Sequence, residues 1–204
     1  MIEIINTNID DKVIDGFRHT YVFELIVEIT RQTNLKLYER LFWNKGKFLP
    51  HPKRFGNKVE YLFWFVKNRD FYINIDAMRV PYDEKSIKRM LKPIKKRFNR
   101  NKENQESEEY KDWQPNKLGA LPSTLINIGS ESQRVSDNHV SVFPIGLAEY
   151  FVKGATKEND LVCDIFSGLG STCCAAKKLN RRFLGLELSE LYVNESNLRL
   201  AEIL

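Results

Sequence analysis

LVCDIFSGLGSTCCAAKKLNRRFLGLEL, Leu161 to Leu188, is the stretch whose reading sets the fold class. A short apolar run, Leu161 to Cys163, meets the glycine-bearing turn DIFSGLGST (Asp164 to Thr172), which opens a segment of helical character. A second strand-like run, RFLGLEL (Arg182 to Leu188), ends near Glu187, seventeen residues beyond Gly170. An α/β protein builds a nucleoside-cofactor pocket from this succession of strand, glycine turn, helix, strand and acid. Glycines let the backbone approach a ligand, and the carboxylate accepts hydrogen bonds from ribose hydroxyls. Gly168 and Gly170 alone have a plain structural explanation, because a strand-to-helix turn often needs positive φ. The acid adds weight: a carboxylate closing an apolar run is costly if unpaired, so Glu187 is expected to meet a ligand or a strong partner. With an aromatic at Phe166 and only two glycines, the turn departs from the dinucleotide cradle and fits a nucleoside without phosphates better.

Several further motifs stand around this unit in a fixed order. His139 comes with Phe143-Pro144, then Asp164-Ile165-Phe166-Ser167-Gly168, the small pair Ala175-Ala176, Arg181-Arg182, Gly185-Leu186-Glu187 and Tyr192-Val193. In that order they resemble the C-terminal part of the β-group S-adenosylmethionine-dependent DNA amino-methyltransferases, which act on adenine-N6 or cytosine-N4. The resemblance extends upstream through LFWNKGKF (Leu41 to Phe48), GNKVEYLFWFVKN (Gly56 to Asn68), INIDAMRVP (Ile73 to Pro81) and MIEIINTN (Met1 to Asn8). It implies an α/β fold, a Rossmann-like methyltransferase sheet with helices on both faces, incomplete in this chain. It also implies three divisions: residues 1–84 as the C-terminal part of the catalytic half, 85–120 as a basic variable or target-recognition segment, and 121–204 as the cofactor-binding half.

Carried onto this sequence, the family's S-adenosylmethionine site falls on Phe143, Pro144, Asp164, Phe166, Gly168, Gly170, Ser171, Thr172 and Glu187. Asp164 and the turn amides are expected to hold the methionine end and Glu187 the ribose. A helix N-terminus after the glycine turn is placed to receive the methionine carboxylate. Leu169, Ser171 and Val140-Ser141 depart from the family pattern without removing a carboxylate or a glycine.

The family's catalytic motif, an acidic or polar residue followed by Pro-Pro and an aromatic, precedes all of these segments, and no Pro-Pro occurs in this sequence. Val80-Pro81-Tyr82 lacks the second proline and the polar lead residue, and it follows Trp43 and Lys45; it reads as a loop. The motif matters because an exocyclic amino nitrogen is a poor nucleophile. It must be held by hydrogen bonds, with the flipped base stacked on an aromatic ring and aimed at the methyl donor. The expectation is therefore a chain that carries no catalytic residue of its own: one half of a split enzyme, or a truncated or internally initiated product. The resemblance implies double-stranded DNA as substrate, adenine-N6 as the target, and a second polypeptide supplying the missing half or a homodimer mate. Two alternatives are weighed beside it: a catalytically inactive DNA-binding or regulatory remnant, and a methyltransferase of another substrate class. The upstream segments with Trp43, Lys45 and Arg79 to Pro81 argue against the latter.

Charge is concentrated in one place. KSIKRMLKPIKKRFNRNK, Lys85 to Lys102, holds nine Lys or Arg among eighteen residues and no acid, so the formal +5 of the chain becomes −4 outside it. Such a run is ordinarily a solvated helix or connector. Its place in the variable region makes Lys85, Lys88, Arg89, Lys92, Lys95, Lys96, Arg97, Arg100 and Lys102 candidate DNA contacts with a strong salt dependence. The next segment, Glu103 to Gly119, is acidic and poor in aliphatics and reads as a loop, with Trp113 as an anchor.

No run of eighteen apolar residues and no signal-peptide pattern occurs among the 204 residues, in keeping with a cytoplasmic protein. Cys163, Cys173 and Cys174 have no zinc-site spacing and read as reduced structural thiols. Cys173 and Cys174 fall in a first helical turn, where the helix N-terminus can lower a thiol pKa. His19, His51 and His139 are scattered, and no metal site is expected. Val22, Leu25, Ile26 and Ile29 have helical spacing, ending near Asn34, and the aromatic runs at Leu41 to Trp43 and Tyr61 to Val66 read as strands. Pro144 suits the first turn of a helix reaching about Lys153, and a last helix is expected from Glu190 to Ile203. An incomplete sheet is expected to expose strand edges and apolar faces that another polypeptide covers.

Overall fold

The computed structural model describes residues 2–6, 13–46, 50–53, 55–90, 115–129 and 142–203; His139, Trp113 and the basic positions from Lys92 to Lys102 lie outside them. The chain forms two compact units, Met1–Met78 with Ser123–Leu204, and Arg79–Pro122. Among the described residues, no helix is long and apolar enough to cross a membrane.

The first unit opens with strand β1 (Ile2–Asn6), a small hairpin of β2 (Val13–Ile14) and β3 (Phe17–Arg18), and helix α1 (Tyr21–Gln32). Two long strands follow, β4 (Lys36–Asn44) and β5 (Val59–Val66). In the second unit, α2 spans Glu84–Met90, and the chain returns to the first through β6 (Leu125–Ile126). The C-terminal part runs α3 (Ile145–Ala155), β7 (Leu161–Asp164), α4 (Ser171–Lys178), β8 (Arg182–Gly185) and α5 (Glu190–Ala201).

Strands β1, β5, β4 and β6 form a mixed sheet in that order, with β5 antiparallel to both neighbours and β6 parallel to β4. The interior place of β5 explains its apolar run, because successive side chains point to opposite faces and both faces are covered. Leu62, Trp64 and Val66 pack with Leu147, Tyr150 and Phe151 of α3, whereas Phe63 and Phe65 pack with Val22 and Ile26 of α1. Phe65 is wholly buried; its truncation to alanine removes a contribution of about 3–5 kcal/mol. Helices thus lie on both faces of this sheet, as the resemblance implies.

Helix α3 begins directly after Pro144, whose φ of −68° suits a helix start. At its other end Gly154 permits a close approach: a Cβ there would lie 2.2 Å from the sulfur of Met78, and the Gly154 carbonyl accepts from Asn74 N at 2.7 Å.

Strands β7 and β8 form a separate parallel pair, Leu161 beside Arg182 through Asp164 beside Gly185. Helix α4 covers one face closely, since a Cβ on Gly185 would stand 2.9 Å from Cys173 Sγ. On the other face Leu161 and Leu184 are 55% and 47% exposed, unusual for parallel strands, which are normally covered on both sides. The sheet is therefore in two pieces, and apolar surface on the smaller piece is bare. In the second unit Val80 pairs with Ala120, while Pro81 and Tyr82 lie in a loop, so this lookalike tripeptide forms no strand-borne motif.

Candidate functional site

The glycine turn joins the end of β7 to α4. Gly168 and Gly170 have φ of +51° and +73°, and Gly170 is the N-cap of α4. The structural need for glycine is strongest at Gly170, where a Cβ would stand 2.1 Å from Ser196 Oγ of α5. Arg199, one turn further along α5, donates to the Leu169 carbonyl. Helix α5 thus backs the turn, a role its sequence does not announce beyond placing a small residue at Ser196.

Two carboxylates flank the turn at the ends of neighbouring strands. Asp164 Oδ1 accepts from Phe166 N at 3.1 Å, and its backbone carbonyl accepts from Leu186 N at 2.8 Å. Glu187 Oε2 accepts from Gly168 N at 2.9 Å, while its Oε1 accepts from Leu188 N and Ser189 N, both at 2.9 Å. The strong partner expected for an acid closing an apolar run is thus the main chain itself. Three backbone amides already meet the carboxylate, and Leu186 and Leu188 beside it are exposed, so its surroundings are not dry. The same bonds orient the acid and fasten it to the turn.

The remaining candidates gather around the start of α4. Ser171 is 2% exposed and donates through Oγ to the Phe143 carbonyl at 3.0 Å, tying the residues before α3 to the turn. Pro144 is buried, Phe143 and Thr172 are half-buried, and Phe166 stands 84% exposed. The structure therefore brings together Phe143, Ser171, Gly168, Gly170, Asp164 and Glu187 through direct bonds or chain adjacency. Ser189, which sequence reasoning passed over, holds Glu187 through its amide and caps α5 by accepting from Tyr192 N.

The two thiols at the helix start are buried, in keeping with the structural role read from the sequence. Burial, with Asp164 nearby, pushes the Cys173 thiol up to about 11, and burial also raises Cys174. The helix terminus is outweighed by desolvation of the thiolate. Among the described residues, no cluster of His, Cys, Asp or Glu has the arrangement of a metal site. Of the candidate DNA contacts, Lys85, Lys88 and Arg89 lie exposed on α2, whose start is capped by Asp83 accepting from Ser86 N at 2.6 Å. Lys92, Lys95, Lys96, Arg97, Arg100 and Lys102 lie outside the described residues.

Strand, positive-φ glycine turn, helix, strand and an oriented acid define an α/β protein of the methyltransferase class. The DNA methylase family of N6 and N4 amino-methyltransferases matches residues 3–198, and the chain belongs to that family. It is 30% identical over 169 residues to the type II methyltransferase M1.MboII of Moraxella bovis, covering 79% of this chain and 61% of that protein. It is 24% identical over 200 residues to M.PvuII of Proteus hauseri, covering 89% and 59%. The chain thus spans about three-fifths of the length of these relatives.

Among solved structures, the cytosine-N4-specific PvuII DNA methyltransferase superposes with a TM-score of 0.69 at 19% identity, over 97% of this chain and 62% of that one. A complex titled M1.HpyAVI–SAM gives 0.59 at 21% identity, over 90% and 72%. At these identities the structural likeness establishes the fold, a Rossmann-like methyltransferase sheet incomplete in this chain.

Proposed function

We propose that this chain binds S-adenosylmethionine in the glycine-turn site and is a fragment or subunit of an enzyme that methylates an exocyclic amino group of a DNA base. The observation that carries the reading is the fastening of Glu187 to Gly168: an acid oriented two residues past the end of β8, tied by a hydrogen bond to the positive-φ turn that follows Asp164, a turn that also carries the exposed Phe166. Glu187 holds the ribose hydroxyls, and Asp164 with the first-turn amides of α4 holds the methionine end. Phe143, Pro144, Thr172 and Phe166 supply the remaining walls. The bound cofactor supplies an electrophilic sulfonium methyl; the protein's part is to hold and aim it.

The complex titled with SAM among the structural neighbours supports this cofactor. Family membership supports DNA as substrate, and the cations of α2 and of the sequence after it are our candidates for phosphate contacts. Adenine-N6 is our reading of the target, and the likeness to the cytosine-N4-specific PvuII enzyme favours cytosine-N4 as the second reading. Our reading of the partner is a second polypeptide that supplies the catalytic segment, with a homodimer mate as the alternative cover for the exposed face. The bare Leu161 and Leu184 face of the β7–β8 pair and the relatives' greater length both support such a complement.

Calorimetric titration with S-adenosylmethionine, wild type against Glu187→Ala, tests the core of this. Loss of a charged acceptor is worth about 1.5–3 kcal/mol, so affinity falls about 10- to 150-fold. Equal affinity of the two proteins, or no binding by folded wild type, refutes the assignment. Tritiated methyl transfer to A·T-only against G·C-only duplexes, in the presence of a supplied catalytic segment, separates the two target bases.

A further inference from the structure

The loop between β4 and β5 carries a second concentration of charge that the family-placed basic segment does not include. Residues 45–58, KGKFLPHPKRFGNK, hold five Lys or Arg and no acid. Lys47 and Arg54 of these lie outside the described residues. At the neck, Lys45 N donates to Lys58 O at 2.8 Å and Lys45 Nζ pairs with Glu60 at 2.6 Å. Gly46, at φ +75°, donates to Asn44 Oδ1 at 3.0 Å, and Asn44 in turn donates to Asn127 at 2.8 Å. Lys45 is therefore a strut of the neck. Beyond it Lys53 is exposed, and Phe55 is 98% exposed, a whole aromatic ring in water that follows Lys53 and Arg54 in the sequence.

Contacts within the first unit link the foot of this neck to the glycine turn through the start of α3. Trp43 Nε1 donates to the Ile128 carbonyl at 2.7 Å, and Ile128 lies against Gly146 in the first turn of α3, 3.8 Å from where its Cβ would be. Phe143, just ahead of that turn, accepts from Ser171 of the cofactor site at 3.0 Å. The end of β4 below the neck is thus linked to the start of α3 through Ile128, and the glycine turn is linked to it through Phe143.

We infer that the β4–β5 loop is a nucleic-acid contact separate from the α2 segment, with Lys53 on the phosphate backbone and Phe55 in apolar contact with a base. This rests on the reading of DNA as substrate. Acid-free cationic charge supplies phosphate attraction, and an aromatic without packing partners supplies a surface for a base face or a wedge between base steps. Neither residue supports the fold: Phe55 is bare, and Lys53 engages its neighbourhood through backbone, donating from N to His51 Nδ1 at 3.2 Å. Both are therefore clean sites for substitution.

Fluorescence anisotropy of a labelled DNA duplex across a salt series tests the inference on the full chain, with wild type, Lys53→Ala, Phe55→Ala, the double variant, and Lys88→Ala/Arg89→Ala as the comparison. Thermal melting and S-adenosylmethionine calorimetry are run alongside. Lys53→Ala should lower the magnitude of the salt slope by about 0.9. Phe55→Ala should weaken binding by about fivefold or more with the slope unchanged. Melting and cofactor affinity should match wild type for both. A double variant with wild-type affinity and slope overturns the inference. If the α2 variant then still weakens binding, the DNA reading survives it; if wild type itself binds no duplex, both fall together.

Discussion

Gly170→Ala tests the backing of the cofactor turn by α5. A residue with a Cβ in the left-handed region costs about 1–2 kcal/mol, and Gly170 sits there at φ +73°. The added methyl would meet Ser196 Oγ at 2.1 Å and Ser196 Cβ at 3.1 Å. The hydroxyl can rotate aside, but the carbon cannot without moving α5, so overpacking adds about 1–3 kcal/mol. The total is about 2–5 kcal/mol, which for a chain of this size lowers Tm by about 4–20 °C. Ser196→Gly deletes both clashing atoms at a helix-propensity cost of about 0.5 kcal/mol. The double variant should therefore recover the overpacking part and keep the backbone part, leaving it about 1.5–2.5 kcal/mol below wild type. Urea unfolding of the four proteins closes the cycle. A Gly170→Ala protein within 0.5 kcal/mol of wild type, roughly the scatter of surface changes, refutes the turn geometry. A double variant no more stable than Gly170→Ala refutes the contact with Ser196.

Three further outcomes follow from other parts of the molecule. Because the Cys173 thiol is held up to about 11 against an ordinary 9.0, the unfolded chain loses its proton first, so this group's stabilising contribution is full below pH 9 and fades between about 9 and 11. Alkylation at pH 8 should accordingly label exposed Cys163 before buried Cys173 and Cys174, and early labelling of Cys173 by mass spectrometry would contradict the burial. Trp64 Nε1 is buried with no hydrogen-bond partner among the described residues, so Trp64→Phe trades lost packing against release of a desolvated donor worth about 1–3 kcal/mol. Its unfolding free energy should stay within about 1.5 kcal/mol of wild type; a loss above about 3 would show that the indole is bonded. Lys88→Ala/Arg89→Ala on α2 should cut the salt slope of DNA binding by up to about 1.8, read from the same anisotropy series, and an unchanged slope would remove α2 from the interface.

The parts legible in sequence are those set by local chemistry. Val22 and Ile26 repeat at helical spacing and are buried in α1; Pro144 starts α3; the all-apolar run of β5 becomes the inner strand. Gly168 and Gly170 occupy left-handed backbone, as a strand-to-helix turn requires. Not legible are the partners that only the folded chain creates. Glu187 is expected to meet a ligand or a strong partner, but which one is hidden because its donors are main-chain amides, one of them nineteen residues earlier, and an amide has no signature in a sequence. Cys173 reads as a structural thiol at a helix start that can lower its pKa, and its burial against Gly185, which outweighs that effect, arises from packing between elements. Ser196 and Arg199 bear on the turn across a helix contact, and neither residue type points to it.

Hydrogen bonds to the glycine turn run between Phe143 and Arg199. Glu187 is oriented by amides of its own turn and the following cap, Ser171 fixes the approach to α3, and Arg199 closes on Leu169. None of these contacts draws on the bare face of the β7–β8 pair, where Leu161 and Leu184 are exposed. On the proposed function, cofactor binding and methyl transfer are therefore separable: the first would depend on a turn already tied together by its own hydrogen bonds, the second on covering the exposed face and positioning a base. A chain that binds S-adenosylmethionine without methylating DNA, and gains activity when that face is covered by a catalytic segment, is the behaviour this geometry predicts. A chain that gains cofactor binding only together with the segment would place the determinants of the site outside the turn.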